Sequence, residues 1–107
     1  MKKFHISISV SNIDASIEEY SKKLGCEPCL KIPNEYALWR TDILNFSIGK
    51  SEENPGNISH IGWEDSRLSS FKEEKDINGI TWEYFDPKSQ EREINNHWEN
   101  VNYSVGR

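Results

Sequence analysis

Phe4-His5-Ile6-Ser7-Ile8-Ser9-Val10-Ser11-Asn12-Ile13-Asp14-Ala15-Ser16-Ile17-Glu18-Glu19-Tyr20-Ser21-Lys22-Lys23-Leu24-Gly25 decides the fold, because two periodicities meet inside it. From Phe4 to Val10 the apolar residues Phe4, Ile6, Ile8 and Val10 alternate with His5, Ser7 and Ser9, the period of a strand with one apolar and one polar face. Ile13, Ile17, Tyr20 and Leu24 then follow at helical spacing. Ser11-Asn12-Ile13-Asp14 supplies N-cap side chains and an acid for the positive end of the helix dipole, and Gly25 sits where a left-handed C-terminal cap is expected. The strand therefore lays its apolar face under a helix and turns His5 to the opposite side.

Outward from this unit, Cys26 to Pro33 is extended and limited by its two prolines, which cannot donate to a ladder. Short strands are predicted near Glu35–Arg40 and Ile43–Ile48, joined by a tight turn at Thr41-Asp42. Ser51-Glu52-Glu53-Asn54-Pro55-Gly56-Asn57 is a polar, turn-rich linker. Beyond it the opening recurs. Ile58-Ser59-His60-Ile61-Gly62-Trp63 is a short strand carrying a His, followed by an N-cap at Asp65-Ser66. A helix of about ten residues is then predicted, with Leu68 and Phe71 on its apolar side, Lys72-Glu73-Glu74-Lys75-Asp76 on its solvated face, and a stop at Asn78-Gly79. Ile80 to Phe85 is another strand, ended by Asp86-Pro87. The polar remainder has no clear pattern, and Val101 to Val105 is expected as a last strand. This gives one domain in two units, residues 1–50 and 58–107, joined by 51–57.

At 107 residues and only 35% apolar, the chain has a thin core that must lean on its four Trp, four Tyr and four Phe. No run is long and apolar enough for a membrane span and no signal-peptide pattern opens the chain, so a cytoplasmic protein is expected. A net charge of -5 without a basic cluster excludes duplex nucleic acid and anionic membrane as expected partners. Cys26-Glu27-Pro28-Cys29 follows a helix rather than opening one, and no second Cys pair exists to complete a zinc tetrahedron. It is read as a loop with two incidental thiols.

Only His5, His60 and His97 provide imidazoles. His5 and His60 hold corresponding places in the two units, so a pseudo-twofold relation would bring them together. Two imidazoles plus one carboxylate form an open metal site with positions left for substrate or water. Glu83 is the best carboxylate, since it interrupts an aromatic strand between Trp82 and Tyr84, where a charge needs solvent or a cation.

The run from His5 to Pro28 resembles the opening module of the vicinal oxygen chelate superfamily, which includes glyoxalase I, extradiol dioxygenases and bleomycin-resistance proteins. It looks closest to the carbon–arsenic lyase and cadmium-induced-protein branch. Tyr36-Ala37-Leu38-Trp39, Asn45-Phe46 and Asn57-Ile58-Ser59-His60-Ile61-Gly62 fall in matching order, and the resemblance covers residues 4 to about 64. It implies an α+β fold of two βαβββ-type modules, the second abridged, forming a curved mixed sheet around a cleft with both helices on its outer face. It also implies one divalent ion (zinc, nickel, manganese or iron) held by His5, His60 and Glu83, the last matched through Trp82-Glu83-Tyr84-Phe85. Relatives place two further strands before that motif and this chain has no room for them, so Glu93, Glu99 or His97 stand as alternative third ligands. The cysteine pair with which the lyase branch holds trivalent arsenic is missing from its expected place.

These readings point to a metal-dependent lyase, isomerase or dioxygenase acting on a small oxygen-bearing substrate. Glu83 would serve the chemistry as well as the ion, and Tyr36 or Tyr84 would supply a proton or a hydrogen bond. The alternatives are a metal-free cleft that sequesters an aromatic or cationic small molecule between Trp and Tyr walls, as in bleomycin resistance, or a non-catalytic interaction protein. A homodimer is expected, because an abridged module leaves sheet edges to cover.

Overall fold

The computed structural model describes residues 2–106. Seven strands form one mixed sheet, and their chain order is β1 (Lys2–Val10), α1 (Ile13–Leu24), β2 (Leu30–Ile32), β3 (Tyr36–Arg40), β4 (Leu44–Lys50), β5 (Ile58–Asp65), β6 (Lys72–Lys75), β7 (Thr81–Phe85) and α2 (Pro87–His97). Across the sheet the order is β2-β3-β4-β1-β5-β7-β6. β1 pairs parallel with β4 and antiparallel with β5, while β5 pairs parallel with β7. The outer neighbours β3 and β6 are antiparallel to β4 and β7. The pairing pattern therefore repeats on either side of the β1–β5 boundary.

The opening stretch folds as its periodicities dictate. Asn12 caps α1 by accepting a hydrogen bond from the Ala15 N–H at 2.9 Å, and Gly25 closes it with a left-handed φ of 78°. Ile17, Tyr20 and Leu24 of α1 lie on Val10, Ile13, Ala37, Trp39 and Ile48. Trp39 is fully buried and donates its indole N–H to the Cys26 carbonyl at 3.2 Å, which ties the loop after α1 to the core. This layer occupies the Phe4 face of the sheet. His5, Ser7, Asn45 and Ser47 are buried on the other face.

Three expectations are corrected. There is no helix between Asp65 and Gly79: Lys72–Lys75 is strand β6, paired antiparallel with β7 from Lys72↔Tyr84 to Lys75↔Thr81. Asn78-Gly79, read as a helix stop, belongs to the hairpin turn, in which Asp76 Oδ1 accepts from the Asn78 and Ile80 N–H groups. The polar stretch after Asp86 forms α2, with Pro87 in its first turn, while Val101 to Val105 is irregular rather than a strand. Finally, the two helices do not share a face. α1 covers the Phe4 side, whereas α2 lies on the His5 side, where Ile94 packs with Leu38 and Gln90 bonds to Asn45. The irregular tail is pinned back to α2 by Asn95, which accepts from the Tyr103 N–H at 2.7 Å and donates to the Tyr103 carbonyl at 2.9 Å.

Candidate metal centre

One row of the sheet builds the site. Arg40 on β3, Asn45 on β4, His5 on β1, Gly62 on β5, Glu83 on β7 and Glu73 on β6 are successive register partners. Strand alternation sends the side chains of such a row to one face. His60 lies on the same face one step along β5, opposite Ser7. Gly62 holds the centre of the row because nothing larger fits: a Cβ there would lie 1.8 Å from the Glu83 carbonyl oxygen. Its lack of a side chain lets β7 close on β5 and leaves Glu83 beside the two imidazoles.

The rings of His5 and His60 are 4.9 Å apart between centroids. Glu83 Oε1 lies 3.2 Å from His60 Nε2 and 3.8 Å from His5 Nε2. Among the described residues these three form the group of metal-ligating side chains whose ligand atoms all lie within 4.8 Å of one another. His5 is 2% exposed, and its ring edge packs on Phe85 at 5.0 Å.

The protonation pattern follows from the partners. His5 Nδ1 faces two acceptors, the Asn45 carbonyl at 3.0 Å and Asn45 Oδ1 at 2.9 Å, so Nδ1 carries the hydrogen and Nε2 the lone pair. That Nε2 is buried without a hydrogen-bond partner, since the carboxylate at 3.8 Å is too distant for one. A buried nitrogen lone pair pointing at a carboxylate and a second imidazole is costly unless a cation or a proton lies between them. Burial lowers the His5 pKa, although the Asn45 side chain and carbonyl and the Glu64 charge oppose the shift. His60 is pushed down to about 4 by burial and by His5. Glu83 is pushed up to about 7 by burial, with Glu73 and Glu93 adding to the shift. Neutral imidazoles beside a carboxylate that is reluctant to ionise form a donor set that fits a divalent ion of the zinc, nickel, manganese or iron class.

The three side chains lie in a cavity of about 220 Å³. Ser7 and Ser47 extend its floor, Tyr36, Phe71, Phe85 and Trp98 wall it, and Gln90, Glu93, Ile94 and His97 of α2 roof it. Tyr36 packs on Trp98 with ring centroids 4.8 Å apart and planes tilted by 40°, and burial pushes its hydroxyl pKa up, so it keeps its proton at neutral pH. Glu93 and His97 line the roof but are outside the ligand cluster, and Glu99 is exposed and outside the cavity. Tyr84 is on the other face of the sheet. It donates its hydroxyl to Glu74 at 3.0 Å and lines a separate groove of about 430 Å³ with Trp63 and Lys72. Cys26 and Cys29 are free thiols in an exposed loop.

The sequence reading missed the groups behind His5. Asn45 donates its amide to Glu64 Oε1 and to Gln90 Oε1, each at 2.8 Å, and Glu64 also receives Arg40 through two bonds of 3.0 and 2.8 Å. Asn45 was visible as a polar position in a predicted strand and within the Asn45-Phe46 match, neither of which shows what its side chain faces, and nothing marked Gln90.

No family model matches the chain. Over 65 residues, 58% of its length, the chain is 40% identical to a trivalent organoarsenical cleaving enzyme from Bacillus sp. strain MD1, of which that match covers 40%. It is 31% identical over 78 residues, 70% of its length, to a protein of Bacillus subtilis strain 168 named a probable trivalent organoarsenical cleaving enzyme, of which it covers 53%. The chain thus spans about half the length of the curated relatives it matches, and over that span it is their homologue.

Proposed function

We propose that this chain is a metal-binding member of the vicinal oxygen chelate superfamily, with one divalent ion held by His5, His60 and Glu83. The observation that carries this reading is the unpartnered His5 Nε2, aimed from a buried position into a cluster of lone pairs that a bound cation would satisfy together. The names of the relatives support the same direction, and the repeated strand pairing about β1 and β5 accords with two modules of which the second lacks its internal helix. A bound ion would supply Lewis-acid polarisation of a substrate oxygen.

The chain's own residues supply the rest. Two imidazoles and one carboxylate leave coordination positions free for a small oxygen-bearing ligand. α2 and Trp98 line the cavity beside the cluster and give a ligand apolar and polar surface to rest on. Tyr36 offers its hydroxyl from the cavity wall. The reaction class is a lyase, and trivalent organoarsenicals, for which the relatives are named, are the first substrates to assay.

Metal analysis of protein purified without a histidine tag, then reconstituted with zinc, nickel, manganese or iron, tests this. One equivalent of bound metal, lost in both His5→Ala and His60→Ala, is the expected result. A chain that takes up none of the four ions overturns the reading and leaves a metal-free binding cleft.

A further inference from the structure

We propose that Asn45 is a positioning residue for His5, fixing which imidazole nitrogen faces the cluster and transmitting the docking of α2 to that nitrogen through Gln90. This inference rests on the metal-site reading above, and it concerns how the site is set rather than which atoms ligate.

Every orientation in the chain of contacts is forced by the next. Arg40 can only donate, and it places Nε and Nη2 on Glu64 at 3.0 and 2.8 Å. The ionised Glu64 can only accept, so the group that meets its Oε1 at 2.8 Å must be the Asn45 amide nitrogen. With the nitrogen committed there, Asn45 Oδ1 is turned to His5 Nδ1 at 2.9 Å, which places the hydrogen on Nδ1 and the lone pair on Nε2. Gln90 closes the arrangement from above. Its Oε1 accepts the second amide hydrogen of Asn45 at 2.8 Å, and its Nε2 lies 3.3 Å from Asn45 Oδ1, a reciprocal amide pair between α2 and the sheet. Asn45 is fully buried, and Glu64 and Gln90 are nearly so. A buried polar network is an expensive way to hold a helix on a sheet, and an apolar contact would do it at lower cost. Here the network ends on Nδ1 of the imidazole whose other nitrogen, Nε2, is buried without a hydrogen-bond partner.

The consequence is a linkage. The Asn45 carbonyl also accepts from His5 Nδ1, at 3.0 Å, so loss of the side chain does not free the ring completely. It removes the acceptor that is itself held from both sides. Titration calorimetry with Co2+ should show affinity about tenfold weaker in Asn45→Ala, the lower end of what losing an outer-shell partner costs. A smaller, severalfold loss is expected in Gln90→Ala, whose side chain never reaches the cluster. In the metal-free protein, 15N–1H correlation spectra should show His5 as a single Nδ1–H tautomer in the parent chain and as a mixture in Asn45→Ala. Asn95→Ala serves as the control, because it loosens the Tyr103 tail from α2 while sparing the Asn45 amide, and it should keep the parent affinity.

A parent-like tautomer together with a Co2+ affinity within twofold in Asn45→Ala overturns the proposal. So does an Asn95→Ala variant as weak as Gln90→Ala, since the effect would then be helix attachment alone. Should Asn45→Ala fail to fold, Gln90→Ala read by the same two measurements decides the matter. A parent chain that binds neither Co2+ nor zinc, nickel, manganese or iron sinks the metal reading instead, while the tautomer comparison still tests what Asn45 does.

Discussion

At the scale of single residues, the proposed metal site would set a proton and a cation in competition for the same lone pairs. Glu83, held near 7 by burial and by Glu73 and Glu93, must lose its proton before it can ligate. His60, at about 4, is already neutral above pH 6 and adds little to the pH dependence there, and burial lowers the His5 pKa in the same direction. Metal affinity should therefore rise as pH increases from about 6 to 8 and level off above, with a proton released on binding near pH 7. Titration calorimetry in buffers of different ionisation enthalpy measures that proton directly. Glu83→Gln should flatten the profile and weaken binding by more than the roughly 10–100-fold that outer-shell changes cost. An unchanged profile in that variant would remove Glu83 from the ligand set. The three residues were legible in the sequence for separate reasons: His5 from strict alternation, His60 from recurrence, Glu83 from a charge inside an aromatic strand. Asn45 and Gln90 were not, because a polar residue in a strand or a helix says nothing of what it faces until distant segments meet.

At the scale of elements, the site depends on how closely two parallel strands approach. A Cβ at Gly62 would overlap the backbone of Glu83, so Gly62→Ala must push β7 away from β5 and carry Glu83 off the imidazoles. The expected cost is about 3 kcal/mol, the upper part of the usual overpacking range, or a fall in Tm of roughly 10–20 °C. Metal binding should be lost even at temperatures where circular dichroism still shows a folded chain. Retained stability together with retained binding would mean that the two strands have slack. Elements were legible where local chemistry and tertiary packing agreed. α1 has cap, stripe and stop in order, and it forms as written. The segment after Asp65 carried a false stop, because Asn-Gly ends helices and turns hairpins alike, and strand pairing with β7 decided between them. α2 was hidden for the opposite reason. Its buried face is Ser89, Gln90 and Ile94, so it has one apolar anchor and no stripe to detect.

At the scale of the whole molecule, the two halves of the sheet are joined by charge as well as by the β1–β5 ladder. Arg40 comes from the first half and Glu64 from the second, and their ion pair passes over β4 and β1 with both side chains largely buried. Burial pushes the Glu64 pKa up, but the bonds from Arg40 and Asn45 outweigh it and hold the carboxyl below its ordinary value. A folded-state pKa below the unfolded one contributes stability that is complete above about pH 4.5 and disappears as pH falls through the folded value. The parent chain should accordingly lose stability on acidification below that point, in part through this pair. Arg40→Ala should cost about 3–5 kcal/mol at pH 7, because it strands a buried carboxylate rather than merely deleting a contact. The variant should also reverse the sign of the pH dependence. With the guanidinium gone, burial becomes the dominant influence, the Glu64 pKa rises above its unfolded value, and stability then falls as pH increases through it. Chemical denaturation of both chains between pH 4 and 8 reads the two slopes. If they are parallel, Arg40 is not what keeps Glu64 ionised, and the tie between the halves lies in the backbone ladder and the Asn45 amide.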